Sequence, residues 1–228
     1  MWNNKKKAIT FSFDDGVLQD KRLIEILDKY GLKATFNLNS GKFGLKESLI
    51  RSEVLVRHDM VEAEEVRELY KNHEVALHGL NHKTCVLLDD DTLIKEIEED
   101  RKNLEVLMGE VIVGMAYPHG STNEHVINIL QKYTKVKYAR TTISTYNFDL
   151  QNQLLAFNPT VHFIEPCLFE LGEKFLSMKT DKPQLFYVWG HAFDLDSPYI
   201  PWGKFEEFCK MISNQDDVFY GTNKEVLL

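Results

Sequence analysis

Strand-like and helix-like segments alternate along this chain, and this alternation constrains the fold more than any other feature. The predicted strands cover residues 8–13, 34–38, 74–77, 111–116, 136–140, 160–164, 185–189 and 218–220. Between them lie amphipathic segments, such as the one in which Leu23, Ile26, Leu27 and Tyr30 recur at helical spacing. Repeated βα units of this kind predict an α/β fold, with a largely parallel sheet or barrel and helices outside it.

The length and composition favour one domain over residues 1–228. A chain of 228 residues can bury a full hydrophobic core, and no repeat, low-complexity tract or Pro/Gly-rich linker divides it. Cys85, Cys167 and Cys209 are far apart and form no Cys-x-x-Cys pair. We therefore expect free thiols in a reducing compartment.

The formal net charge of −8 argues against a general nucleic-acid binder or a protein of anionic membranes. The N-terminal segment leads directly into a strand without a secretory leader, and no apolar run is long enough to span a bilayer. We therefore expect a cytoplasmic protein without nucleic-acid or membrane partners. The sequence leaves its oligomeric state open.

Polar residues collect at the carboxyl ends of the predicted strands, which is where functional sites lie in parallel α/β folds. The residues at these ends are Asp14, Asp15, Asn37, Asn39, His78, Tyr117, His119, Arg140, His162 and His191. They include four of the eight histidines of the chain. This concentration predicts a functional site at one edge of the sheet.

Two motifs indicate metal chemistry. His78 and His82 are separated by three residues in L-H-G-L-N-H, and Gly79 predicts a tight loop that brings them together. Two imidazoles and one carboxylate form a common catalytic metal site, and the adjacent Asp14 and Asp15 could supply the ligand and a base. Alternatively, the two acids cap the following helix. The residues alone leave both interpretations open.

Taken in order, the motifs resemble the polysaccharide deacetylase family, which is carbohydrate esterase family four and contains the NodB-homology domain. The chain has S-F-D-D-G at 12–16, H-G-L-N-H at 78–82, A-Y-P-H-G at 116–120 and V-W-G-H at 188–191. These correspond to the family's T-F-D-D-G strand end, H-[ST]-x-x-H loop, R-x-P-Y segment and late histidine. The resemblance implies a distorted (β/α) barrel of the seven-stranded type.

The resemblance also implies a metal centre. Asp15, His78 and His82 would hold a divalent metal ion, and Asp14 would be the general base that activates water. Zinc is the first choice for the ion, with cobalt, nickel or manganese as alternatives, because this ligand set suits several first-row metals.

Further roles follow from the later motifs. The backbone N–H of Tyr117, beside Pro118, would stabilise an oxyanion. His191 would act as the general acid toward the leaving amine. Trp189 would either line a sugar-stacking wall or pack in the core.

The chain departs from the family pattern at three places. Ala116 occupies the position of the arginine that pairs with the base, and Arg140, at a later strand end, could take its place or be a surface cation. His119 stands where the family has tyrosine, so it is expected to reshape the substrate groove or to add a ligand. The family's Asp/Trp segment has no clear counterpart, and Asp149 is the nearest candidate.

The leading hypothesis is a metal-dependent deacetylase that hydrolyses the N-acetyl amide of an amino sugar or oligosaccharide. A second hypothesis keeps the site but assigns it a small non-sugar amide as substrate. The third is a catalytically silent carbohydrate-binding domain on the same fold. Retention of both a base and an acid, Asp14 and His191, counts against the third.

Overall fold

The computed structural model describes residues 2–228, and a mostly parallel β-sheet lies at its centre. The strands are β1 (Lys7–Asp15), β2 (Ala34–Leu38), β3 (Ser48–Arg51), β4 (Val54–Arg57), β5 (Glu74–Leu77), β6 (Gly114–Ala116), β7 (Tyr138–Arg140), β8 (Val161–His162), β9 (Gln184–Gly190) and β10 (Val218–Tyr220). Seven of them lie in the spatial order β7-β6-β5-β2-β1-β9-β8, and β10 pairs with β1. All pairings within this sheet are parallel. The alternating pattern therefore predicted the fold class correctly.

In the described part of the chain, residues 2–228, seven α-helices accompany the sheet. They are α1 (Asp20–Lys29), α2 (Val66–Leu69), α3 (Asp90–Met108), α4 (Glu124–Tyr133), α5 (Leu168–Ser177), α6 (Trp202–Ile212) and α7 (Asn223–Leu227). The Asp89 carboxylate accepts a hydrogen bond from the Thr92 N–H and so caps α3, as acidic side chains commonly do at helix starts. Within residues 2–228, no helix combines the length and apolar character needed to cross a membrane.

Strand β1 runs through the middle of the sheet and all nine of its residues are buried. Along one edge it pairs with β9, while its other edge pairs first with β10 and then with β2. A strand that is covered on both faces reads as a near-continuous apolar run, which explains the sequence A-I-T-F-S-F.

The sheet curls strongly between β1 and β7. Four strand spacings separate these strands along the sheet, which would amount to about 19 Å if the sheet were flat. Nevertheless the Arg140 side chain of β7 reaches the Asp14 carboxylate of β1, with Nη2···O distances of 2.5 Å. The sheet is thus bent into a half-barrel, in agreement with the expected distorted barrel, and its interior faces come together at the strand ends.

The sequence pattern missed the short C-terminal helix α7 and the antiparallel hairpin formed by β3 and β4. Its strands are only four residues long and largely exposed, so neither strong alternation nor an apolar run marks them. The hairpin follows β2 and ends at His58, which lies beside the carboxyl end of β1.

Candidate metal centre and catalytic site

The two adjacent aspartates at the end of β1 share one site because the backbone changes conformation between them. Ladder pairing continues through both residues, with Asp14 opposite Asn37 and Asp15 opposite Leu38, so the strand does not stop before the acids. However, Asp15 has φ 81°, and Gly16 follows with φ 75°. A left-handed residue breaks the alternation of side chains along a strand, and both carboxylates can therefore face the same cavity.

The histidines of L-H-G-L-N-H converge on Asp15. Gly79 and His82 both have positive φ angles, and Asn39 holds this loop by donating from Nδ2 to the carbonyls of His78 and Gly79. The Nε2 atoms of His78 and His82 each lie 3.5 Å from Asp15 Oδ1. The loop thus brings together the three side chains that the sequence motifs had indicated.

The geometry of these donor atoms fits a tetrahedral metal ion. Bonds of about 2.1 Å place neighbouring ligand atoms of such an ion about 3.4 Å apart, close to the observed 3.5 Å. The His78 Nδ1–H donates to the Ala116 carbonyl at 2.8 Å, which leaves the lone pair of Nε2 for a metal. Burial, reinforced by the charge of His78, lowers the pKa of His82 to about 4, so this ring is neutral as a ligand must be.

Asp14 is held as a carboxylate by polar neighbours. Arg140 donates from Nη2 to both of its oxygens, and Asn37 Nδ2 donates to Oδ1 at 2.8 Å. Burial alone would raise the pKa of Asp14, but the charge of Arg140, followed by those of His78 and His191, lowers it below the usual value. The family's arginine is absent from the A-Y-P-H segment, and Arg140 takes its place beside Asp14.

The late histidine, His191, approaches the same Asp14 oxygen as His78 does. His191 Nε2 is 4.0 Å from Asp14 Oδ2, and Nδ1 is 3.2 Å from Asp194 Oδ2. Burial would lower the pKa of His191, but the hydrogen bond to Asp194 and the charges of Asp15 and Asp14 raise it above its ordinary value. These neighbours thus favour the protonated imidazole more than an ordinary histidine environment would, as a proton donor requires.

A second group of potential ligands, His162, His191 and Asp194, does not provide a metal site. The Ile164 N–H donates to His162 Nδ1 at 3.2 Å, so the neutral ring carries its proton on Nε2 and has no free lone pair there. Burial and the nearby charge of His191 lower the pKa of His162 to about 3, which keeps the ring neutral. Asp194 therefore serves His191 as a hydrogen-bond acceptor.

The backbone N–H of Tyr117, the predicted oxyanion donor, has a hydrogen-bond partner within the sheet. The Tyr117 N–H already donates to the Arg140 carbonyl at 3.0 Å, and its hydroxyl donates to the Leu155 carbonyl at 2.7 Å. Pro118 is buried beneath the ligand loop, where a Cβ on Gly79 would lie 3.4 Å from its ring. In residues 2–228, the backbone N–H of His119 is left without a hydrogen-bond partner, and this residue lines the cavity.

Two aromatic positions have clear environments. His119 has a backbone φ of 59°, and its exposed ring lies 4.5 Å from the His82 ring. It is not among the converging ligand groups. It therefore shapes the cavity wall. Trp189 is 6 % exposed, and the Arg140 guanidinium lies 4.4 Å from the centre of its ring. Because Arg140 covers this face of the ring, the contacts of Trp189 support a role in core packing.

Asp149, the nearest candidate for the family's Asp/Trp segment, lies outside the site and does not pair with His191. It accepts a hydrogen bond from Gln184 at the start of β9, at the opposite end of the strand from His191. The partner is Asp194, three residues after His191 in H-A-F-D, a spacing that the sequence displays but that had not been recognised. His58 and Arg51, which also had no predicted role, enter the site from the hairpin.

All these groups surround one open cavity of about 430 Å³ at the carboxyl ends of the strands. The cavity is lined by Asp14, Asp15, Leu49, Arg51, His58, His78, His82, Tyr117, His119, Thr142, Trp189, His191 and Phe193. Side chains from four strand ends, the ligand loop and the hairpin thus meet in one place. Such a cluster of carboxylates and imidazoles is equipped for metal-assisted hydrolysis.

Comparison with known proteins identifies this arrangement. A family model described as polysaccharide deacetylase matches residues 2–138, which is more than half of the chain. The protein belongs to the polysaccharide deacetylase family, a class of hydrolases. The matched region contains both aspartates and both ligand histidines, whereas Arg140 and His191 lie beyond it. No curated protein matches the chain.

Solved structures support the fold. A candidate polysaccharide deacetylase from Mycobacterium smegmatis is 19% identical, with a TM-score of 0.68 over 97% of this chain and 89% of that one. The deacetylase PplD of Streptococcus pyogenes, solved with acetate, is 22% identical, with a TM-score of 0.54 over 64% of this chain and 61% of that one. The match to this deacetylase thus spans less than two thirds of its length.

Proteins without activity share the same fold. A wild-type CE4-family pseudoenzyme from Bacillus anthracis is 17% identical, with a TM-score of 0.58 over 99% of this chain and 66% of that one. At these levels of identity, the likeness defines the fold alone. Activity must be argued from the residues of the site.

Proposed function

We propose that this protein is a metal-dependent deacetylase that hydrolyses the N-acetyl amide of an amino sugar or short oligosaccharide. One observation carries the proposal: the candidate ligands Asp15, His78 and His82 lie directly beside a carboxylate and an imidazole, Asp14 and His191, that suit a base and an acid. Asp14 Oδ2 is 3.9 Å from His78 Nε2 and 4.0 Å from His191 Nε2. A substrate amide between them would have both proton-transfer groups within reach.

The chemistry requires each of these groups. An amide is a poor electrophile with a poor leaving group, so its hydrolysis needs an activated water, a stabilised oxyanion and a proton for the amine. A divalent metal, with zinc as the first choice for this ligand set, would polarise both the water and the amide carbonyl when bound. Asp14 would take the proton of the attacking water, while Arg140 and Asn37 keep its carboxylate fixed.

His191 would complete the reaction by giving a proton to the departing nitrogen. Asp194 accepts from Nδ1–H and thereby directs the Nε2–H of the imidazolium toward the site. The free N–H of His119 is the backbone group positioned to stabilise the oxyanion in place of Tyr117. The acetate bound to the structurally similar Streptococcus pyogenes deacetylase is the acid that this reaction would release.

A small amide remains the second candidate substrate. The hairpin residues Leu49 and Arg51 wall one side of a cavity of about 430 Å³, a size that suits a compact ligand better than an extended polymer. A silent binding domain, as the similar pseudoenzyme suggests, is disfavoured because a binder has no need of the Asp14–Arg140 and His191–Asp194 pairs.

The decisive experiment is release of acetate from acetylated chito-oligosaccharides by the purified protein with added zinc, cobalt, manganese or nickel. We expect activity with at least one ion, its loss in Asp14→Asn, and retention of the ion by that variant. Turnover of a small amide without any reaction on sugars would favour the second substrate class. Inactivity toward both classes, with the ion bound, would contradict the proposed function.

A further inference from the structure

The hairpin that the sequence pattern missed delivers a histidine to the metal centre. His58 follows β4 directly and is only 8 % exposed. Its Nε2 lies 3.0 Å from Asp15 Oδ2, the carboxylate oxygen that faces away from the other two histidines. Neither the motifs nor the family match gives this residue a role.

The protonation of this contact follows from its partner. An ionised carboxylate can only accept hydrogen bonds, so His58 must donate through Nε2–H. The two oxygens of Asp15 thus have different contacts. Oδ2 accepts a hydrogen bond from His58, while Oδ1 faces His78 of the proposed metal centre.

Contacts outside the metal centre fix the His58 ring. Its Nδ1 lies 3.5 Å from Glu47 Oε2, and Lys42 Nζ approaches the same oxygen at 3.3 Å. The backbone N–H of His58 donates to the Glu47 carbonyl at 2.8 Å. The ring also packs edge-on against Phe193, with a centroid distance of 4.9 Å. His58 is therefore held from three sides, as a group that orients a neighbour must be.

We propose that His58 is a positioning residue that orients the Asp15 carboxylate for metal binding, and that the β3–β4 hairpin is thereby part of the metal centre. The inference rests on the proposed function only in that a divalent ion binds Asp15. Outer partners that hydrogen-bond to ligating carboxylates typically change metal affinity by about 10–100-fold when they are removed.

The test compares the dissociation constant for Zn²⁺, measured by competition with a chromophoric chelator, in the full-length protein and three variants. His58→Phe keeps the ring packing on Phe193 but removes the donor, and His58→Gln keeps a donor near the position of Nε2. His125→Phe is the matched control, because His125 is an exposed histidine on α4 that contacts Asp90, away from the cavity.

We expect the dissociation constant of His58→Phe to rise about 10–100-fold, most of this loss to be recovered in His58→Gln, and His125→Phe to match the wild type. The readout requires no turnover. Circular dichroism of the metal-free proteins establishes that each variant is folded, and His58→Leu replaces His58→Phe if the latter is not.

Two results would overturn the inference: a His58→Phe affinity within twofold of wild type, or equal losses in His58→Phe and His58→Gln. Either result, with Zn²⁺ bound tightly by the wild type, would leave the proposed function intact. If the wild type bound no divalent ion at all, the metal-dependent function would fail together with the inference.

Discussion

The ion pair between Arg140 and Asp14 allows a stringent prediction, because it can be tested without substrate or metal. The two side chains are 1 % and 2 % exposed, and they belong to strands that are far apart along the sheet. Arg140→Met keeps a side chain of similar length but leaves the Asp14 carboxylate buried without its principal partner. We expect this variant to be strongly destabilised.

Two estimates of the magnitude agree. Removing one partner of a buried pair typically costs about 3–5 kcal/mol, since the remaining charge is uncompensated. Two unit charges about 4 Å apart at an effective dielectric constant of about 20 also interact by about 4 kcal/mol. For a protein of this size, a loss of about 3–5 kcal/mol lowers the melting temperature by about 6–20 °C.

The pH dependence of this loss follows from the sign of the pKa shift. In the wild type, the pKa of Asp14 is lowered, so its contribution to stability is present above the unfolded-state pKa and is lost as the pH falls through the folded value. Without Arg140, burial raises the pKa of Asp14 instead. The stability difference between wild type and Arg140→Met should therefore be largest at high pH and should narrow as the pH falls.

The assay is chemical denaturation of the metal-free protein in a chelator, from pH 8 to pH 5, within a double-mutant cycle. Asp14→Asn/Arg140→Met removes both charges, so it should be more stable than Arg140→Met alone, because the amide oxygen at position 14 can still accept from Asn37. A loss below about 1 kcal/mol in Arg140→Met, or strictly additive effects in the cycle, would refute the reasoning.

Three further predictions concern the site. Asp15→Asn should weaken Zn²⁺ binding by more than about 100-fold in a chelator competition, because a ligand is lost. Asp14→Asn should still bind Zn²⁺ but lose about 10²–10⁴-fold in turnover, because the base is lost. Equal losses of Zn²⁺ affinity in the two variants would contradict the assigned roles. Asp194→Asn should move the alkaline limb of the kcat-against-pH profile to lower pH by about one to two units. The reason is that His191 must be protonated to act and loses a charged hydrogen-bond partner, which lowers its pKa. An unchanged limb would exclude His191 as the acid. Gly190→Ala should cost about 1–3 kcal/mol in thermal denaturation, because the added methyl would lie 2.2 Å from an aromatic carbon; an unchanged melting temperature would show that the ring has room to move.

Much of the site could be predicted from sequence because of one property of parallel sheets. Their strands end at a common edge, so Asp14, Asp15, His78 and His191, each at or just after a strand end, could be expected to meet. The spacing of His78 and His82 then indicated a metal. The family match over residues 2–138 confirms the family, and both aspartates and both motif histidines lie within it.

Two contacts of the site have signals that can be read from the sequence. Asp194 follows His191 by three residues, close enough for a local hydrogen bond. The N–H of Tyr117 directly follows a strand and is needed to pair with the next strand through the Arg140 carbonyl. In both cases, local hydrogen-bond accounting indicates which groups are engaged.

The sequence by itself thus determined most of the strands and helices, the common edge at which the site lies and the candidate ligand residues, because these depend on local periodicity and short motifs. Only the tertiary structure decided which side chains contact the two aspartates. Arg140 reaches Asp14 across 126 positions of sequence because the sheet curls, and His58 reaches Asp15 because a short, largely exposed hairpin folds back over the strand end. Curvature and loop placement arise from packing over the whole chain, and no local pattern encodes them.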